Sequence, residues 1–119
     1  MKHFPPGVRS GSVHDEPFPP ASEGERFTTL YEERTFRIEK ILSAGHTTPP
    51  DQWYDQEADE WVLLLEGRAT IAFENGAVKS LEPGEWVFLP RRCKHRVAAT
   101  SSEPGCIWLA VHATPAGRS

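Results

Sequence analysis

The sequence has no excess of positive charge, no long hydrophobic run, no stretch of helical periodicity and only two cysteines. Thirteen lysines and arginines against 17 aspartates and glutamates give a formal net charge of −4, so the basic footprint that a phosphate backbone requires is missing and nucleic-acid binding is not expected. No apolar run approaches the roughly 20 residues of a membrane-spanning helix, and the first ten residues lack the apolar core of a secretory signal. The expectation is a cytoplasmic protein without membrane contact. In such a chain Cys93 and Cys106 are expected as free thiols rather than a disulfide. The lack of helix-period stretches leaves strands to form the fold.

What is present is concentrated between Glu60 and His95, a series of short apolar runs separated by Glu66-Gly67, Asn75-Gly76 and Pro83-Gly84. Asn-Gly between alternating apolar residues predicts a hairpin with a type I′ turn, and Pro-Gly predicts a type II turn with glycine in the left-handed position. Upstream, Phe27 to Tyr31 is expected to pair across Glu32-Glu33 with a strand in which Phe36, Ile38 and Lys40 alternate with Arg37, Glu39 and Ile41. Residues 43–51 read as a loop, since Gly45 and Pro49-Pro50 exclude helix and central strand. The run from Trp53 to Glu60 is polar and aromatic. Cys106 to His112 is apolar on both faces, as in a strand buried between layers.

With 119 residues, 38% hydrophobic and 25% charged, the chain is expected to be one domain of about eight to ten strands, an all-β barrel or double sheet. Residues 1–25, rich in proline and glycine, cannot bury enough to order themselves alone. They are expected as an extended arm laid over the barrel or a neighbour, or as a mobile tail. The barrel then spans 26–113 and a tail 114–119.

Two blocks carry a resemblance to a known family. Gly84, five residues, Pro90, Arg91, Arg92, Cys93-Lys94 and His95 reproduce the spacing of the second motif of the small single-domain cupins, with Arg92 where that motif has glycine and Ala99 where it has asparagine. Glu60, six residues and Gly67 match the end of the first motif. The histidine pair that normally precedes this glutamate is absent, and Tyr54 with Gln56, or Trp53 with Asp55, stands there instead. The chain thus resembles a cupin with an incomplete first metal motif. The resemblance implies a jelly-roll barrel, the double-stranded β-helix, over about two thirds of the chain.

It also implies a site. A divalent ion (Fe, Mn, Ni or Zn) would be held by His95 and Glu60 with one or two of Tyr54, Gln56 and, in a register slipped by one, Asp55. Glu60 and Tyr54 are the candidate catalytic groups. His46 and His112 are weaker candidates, expected in a solvated loop and in a core or rim position, and His3 and His14 are not expected to function. Arg91, Arg92, Lys94 and Arg96 form a basic cluster around His95 that could attract an anion. If Glu60 faces inward, so do Val62 and Leu64, and the apolar set Trp61, Leu63 and Leu65 must be covered by the second sheet, the arm or a second subunit. A homodimer is the expectation. Two functional readings follow: a metal-dependent enzyme of lyase, dioxygenase or isomerase type acting on a small anionic or carbonyl compound, and a metal-free module that binds or senses a small ligand.

Overall fold

The computed structural model describes residues 4–114. Eight strands follow one another along the chain: β1 Arg26–Glu32, β2 Phe36–Ser43, β3 Asp59–Glu66, β4 Ala69–Phe73, β5 Val78–Leu81, β6 Trp86–Leu89, β7 His95–Thr100 and β8 Cys106–Ala113. They form a five-stranded sheet ordered β1-β2-β8-β3-β6 and a three-stranded sheet ordered β5-β4-β7, and every pairing within them is antiparallel. This is a jelly-roll barrel. No helix occurs among the described residues, so none is long and apolar enough to cross a membrane. The expected C-terminal tail, apart from Thr114, and His3 lie outside the described residues.

The turns show why the strands stop where they do. Gly84 has a φ of +91°, and Glu85 N–H donates to Glu82 O over 3.0 Å, the type II geometry that Pro83-Gly84 predicts. The Asn75-Gly76 turn differs from expectation. Only Gly76 is left-handed (φ +96°), and Gly76 N–H donates to Phe73 O over 2.9 Å, while Phe73 N–H donates to Ala77 O. Glu74 and Asn75 therefore occupy the centre of the turn and Gly76 follows it, a longer loop with a left-handed glycine rather than a two-residue type I′ turn. Asn75 favours this arrangement because its Oδ1 accepts from Ala77 N–H over 2.9 Å. Gly67 is required twice over: φ is +87°, and a Cβ there would lie 2.7 Å from Gly105 O and 2.8 Å from Cys106 Sγ.

The register of the large sheet stacks its inward side chains in layers. Arg37 lies opposite His112, His112 opposite Glu60, and Glu60 opposite Leu89. The next layer holds Glu39, Ala110, Val62 and Val87, and the one after it Ile41, Trp108 and Leu64. Period 2 thus collects the polar residues at one end of the barrel and the apolar ones at the other. The apolar end closes with Ile71, Ala69, Leu81 and Cys106 into a single core. Cys93 and Cys106 are both free.

The outer face of β2 is covered by the arm. Lys40, only 1% exposed, is held by Asp15 at 2.8 Å and Glu16 at 2.7 Å. Thr28 Oγ1 donates to Glu16, Arg26 donates to Pro17 O, and the Phe18 ring sits against Gly105. Leu42 and Ile107, on the same outer side, are buried. The outer face of β3 and β6 is not covered by any described residue: Trp61 packs on Trp86 with ring centroids 6.1 Å apart, and Trp86 and Phe88 remain 57% and 50% exposed.

Candidate functional site

A cavity of about 250 Å³ opens between the two sheets at the polar end of the layers. The main sheet supplies Arg37 and Glu39 from β2, Glu60 and Val62 from β3 and Trp108 and His112 from β8; β7 of the other sheet supplies His95. The polar run before β3 contributes Tyr54 and Gln56. Tyr54 is fixed by a two-way backbone bridge to His95: Tyr54 N–H donates to His95 O over 2.7 Å, and His95 N–H donates to Tyr54 O over 3.2 Å. The two rings stack with centroids 5.5 Å apart.

Glu60 is the centre of the site. It is 7% exposed, and its two oxygens lie 3.9 Å from His95 Nε2 and 3.9 Å from His112 Nε2, outside hydrogen-bond range. Burial pushes its carboxyl above the ordinary glutamate value; the imidazoles of His112 and His95 partly offset this, and Glu39 adds to it. His95 Nδ1–H donates to Cys93 O over 2.9 Å, which leaves Nε2 turned toward Glu60. His112 Nε2 is engaged by Glu39 Oε1 at 3.2 Å. Arg37 Nε is buried without a hydrogen-bond partner, 3.9 Å from Glu39 Oε2. The unpaired Arg37 donor and the Glu60 carboxylate, which opens on the cavity, therefore flank His112 in a single layer of side chains.

Tyr54 is kept a phenol. Burial pushes its pKa above the ordinary tyrosine value, and Glu25 and Glu60 push it further, against a hydrogen bond with Thr48. As a neutral group it is a hydrogen-bond donor and a poor metal ligand. Gln56 lines the cavity. Asp55 does not: on the alternate side of that extended segment, its Oδ1 lies 3.1 Å from Arg92 Nε. Three of the four basic residues around His95 are likewise engaged elsewhere. Arg92 binds Asp55, Lys94 is 3.6 Å from Glu74, and Arg96 lies over the Trp53 ring at 5.8 Å. Arg92 stands where the family motif has glycine, and it takes the backbone conformation of one, with φ +64°.

Arg37, Glu39 and Glu25 line the cavity and were not singled out by the sequence. The alternation along β2 could have found the first two, since one of its two faces had to point inward and the polar one does. His112, expected in the core or at the rim, is a member of the site.

The implied divalent metal can be tested against these donors. Among the described residues no three His, Cys, Asp or Glu side chains are grouped so as to hold an ion. His95 Nε2 and Glu60 are free to ligate, but His112 is turned onto Glu39 and Asp55 onto Arg92. As arranged, the set falls short of a metal centre.

The cupin-domain family model matches residues 39–112. No functionally curated protein matches the chain. Among solved structures, a candidate mannose-6-phosphate isomerase from Ralstonia eutropha JMP134 is 37% identical, covering 91% of this chain and 100% of its own, with a TM-score of 0.83. An RmlC-like cupin from Desulfovibrio desulfuricans is 17% identical over 88% of this chain and 96% of its own, TM-score 0.69. The DMSP lyase DddQ from Ruegeria pomeroyi DSS-3 is 18% identical over 95% of this chain and 55% of its own, TM-score 0.66. The last two likenesses speak to the fold alone. With the motif at Gly84 to His95, the eight-stranded jelly roll and the family match over most of the barrel, the chain belongs to the cupin family.

Proposed function

We propose that the protein is a small-molecule enzyme in which Glu60 removes a proton from carbon beside a carbonyl group, chemistry of isomerase or lyase type. One observation carries this reading: Glu60 is a buried carboxylate that faces a cavity and accepts no hydrogen bond from a described residue. A carboxylate in that setting is a stronger base than one in water, and its raised ionisation brings it closer to neutral pH. The developing enolate oxygen would be met by the unpaired Arg37 Nε–H and the Tyr54 phenol. His95, its Nε2 turned toward Glu60 and its ring stacked on Tyr54, would hand the proton onward. The carbonyl class is favoured over the anionic one, because the cavity wall carries Glu25, Glu39 and Glu60 against the single guanidinium of Arg37.

A second reading adds a divalent ion, and one feature favours it. The two oxygens of Glu60 stand at the same 3.9 Å from two imidazole nitrogens, a spacing that one ion between them could close if His112 left Glu39. No step of the proposed chemistry depends on it. For the assembly we propose a homodimer through Trp61, Trp86 and Phe88, because this bare apolar patch lies on β6, an unpaired edge strand.

The test is exchange of carbon-bound protons into deuterium oxide, followed by proton NMR over a panel of small aldehydes and ketones. The wild type should accelerate exchange of at least one compound, and Glu60→Gln should slow it by about 100-fold or more. Binding without exchange would replace the enzyme by a ligand-binding module. Equal exchange in both proteins would remove Glu60 from the chemistry.

A further inference from the structure

Glu25 immediately precedes β1 and lies beside the end of β2, where the Ser43 hydroxyl donates to its Oε2 and Trp108 Nε1–H donates to Ser43 Oγ over 3.1 Å. Ser43 is fully buried, so the carboxyl is anchored to the barrel wall rather than free at the end of the arm. It lines the same cavity as Glu60, and the rings of Phe27, Tyr54 and Trp108 line it too. Among the described residues no lysine or arginine pairs with Glu25. The nearest basic group, His46, is spent on the backbone: its Nδ1 accepts from Ala44 N–H over 2.8 Å, which leaves Nε2–H to donate to Glu23 O over 2.7 Å.

The cavity therefore has an unbalanced wall. Among the described residues Glu25, Glu39 and Glu60 face it with Arg37 as the only guanidinium, and Glu39 is already close to both Arg37 and His112. Among the described residues neither Glu25 nor Glu60 forms an ion pair with a lysine or arginine, and Glu60 is more than nine-tenths buried and accepts no hydrogen bond from them. A buried carboxylate without a partner is costly, and burial accordingly pushes the Glu25 carboxyl up, against the Ser43 hydrogen bond. A ligand that carries the missing positive charge recovers that cost. Aromatic rings lining the same cavity as a carboxylate suit a diffuse organic cation better than a hydrated metal ion, because the ring quadrupoles attract the charge while the rings cover the alkyl groups.

We propose that the cavity binds a small organic cation, its ammonium or quaternary nitrogen seated between Glu25 and the rings of Phe27, Tyr54 and Trp108, with the remainder of the molecule extending toward Glu60. This rests on the reading of the cavity as the substrate site and narrows its substrate to a carbonyl compound bearing a basic or quaternary nitrogen. The two ends of the cavity then have separate tasks. Glu25 selects by charge, and Glu60 does the proton transfer.

The experiment is calorimetric titration of the intact protein with choline and with its neutral isostere 3,3-dimethylbutan-1-ol, in the wild type, Glu25→Gln and Phe27→Leu. The amide of Glu25→Gln keeps an acceptor for Ser43 while removing the charge. Wild type should bind choline about tenfold or more tighter than the alcohol. Glu25→Gln should bring the two ligands to within about twofold, and Phe27→Leu should weaken choline a few-fold while leaving the alcohol unchanged. Equal affinity for both ligands in the wild type, no binding of choline at all, or a preference that survives Glu25→Gln would each overturn the proposal. The wild-type comparison decides even if Glu25→Gln does not fold. Should choline bind through Glu25 while no carbonyl compound exchanges protons, the cation site stands and the Glu60 chemistry falls; Glu60-dependent exchange without a charge preference gives the reverse.

Discussion

Glu60 and His112 stand opposite each other in the β3–β8 register, yet the imidazole turns away: His112 Nε2 is 3.2 Å from Glu39 Oε1 and 3.9 Å from Glu60 Oε2. Glu39 takes the donor that would have satisfied Glu60, and the central carboxylate is left without one. The site holds a local cost to stability in the place where its chemistry would be done.

That cost makes Glu60→Gln a stabilising substitution. The folded state holds the Glu60 proton more tightly than the unfolded chain, so stability falls as pH rises from the ordinary value of 4.5 through the folded one, and the penalty is absent below it. Thermal unfolding at pH 7 should show Glu60→Gln more stable by on the order of 1 kcal/mol, with the gain vanishing near pH 4. A variant less stable than wild type at pH 7 would contradict the unpartnered state of this carboxyl.

Arg92 combines a left-handed backbone (φ +64°) with an ion pair to Asp55 at 3.1 Å. Arg92→Ala loses the pair and keeps the strain of a Cβ, whereas Arg92→Gly loses the pair and relieves the strain. Denaturant unfolding should place Arg92→Gly above Arg92→Ala by about 1 kcal/mol. The reverse order would mean that the loop has another conformation in solution.

The arm is latched by Lys40. Hydrogen bonds from Lys40 hold the carboxyls of Asp15 and Glu16 below their ordinary values of 3.8 and 4.5. Their contribution is therefore present above that range and is lost as pH falls through the lowered values. Lys40→Met keeps the buried stem and removes the charge. Limited proteolysis at neutral pH should cut residues 4–24 faster in this variant than in wild type, with the barrel intact. Equal rates would mean that the arm is held by Phe18 and its neighbours alone.

How much of this could be read from the sequence varied by residue, for physical reasons. The glycines at 67 and 84 announced their turns because φ is positive at both, and at 67 a Cβ would also collide with Gly105 O. Glu60 was placed inward by its register with Val62 and Leu64, which the structure buries. Arg37 and Glu39 were hidden by the arm. Because Asp15, Glu16 and Phe18 cover the outside of β2, both of its faces are shielded from water, and the polar set could point inward without breaking the alternation. Asp55 showed the opposite failing, since one residue of register decides between facing the cavity and facing Arg92. Glu25 could not be recognised as a site residue before the arm was seen to carry it to Ser43.

The uncovered face makes a prediction about assembly. Sedimentation should show a dimer at micromolar concentration, and Trp86→Glu together with Phe88→Glu should give a folded monomer, since both side chains are half or more exposed. A wild-type monomer at high concentration would leave Trp61, Trp86 and Phe88 without a partner and reject the homodimer.

The most direct measurement is the titration of Glu60 itself, followed by carboxyl carbon-13 NMR with Glu60→Gln to identify the resonance. A base poised by burial should titrate clearly above 4.5 in the free protein, and its midpoint should move again when a compound that exchanges protons is added. A midpoint at or below 4.5 would show that the carboxylate is satisfied, and the proposed role of Glu60 as the base would be wrong.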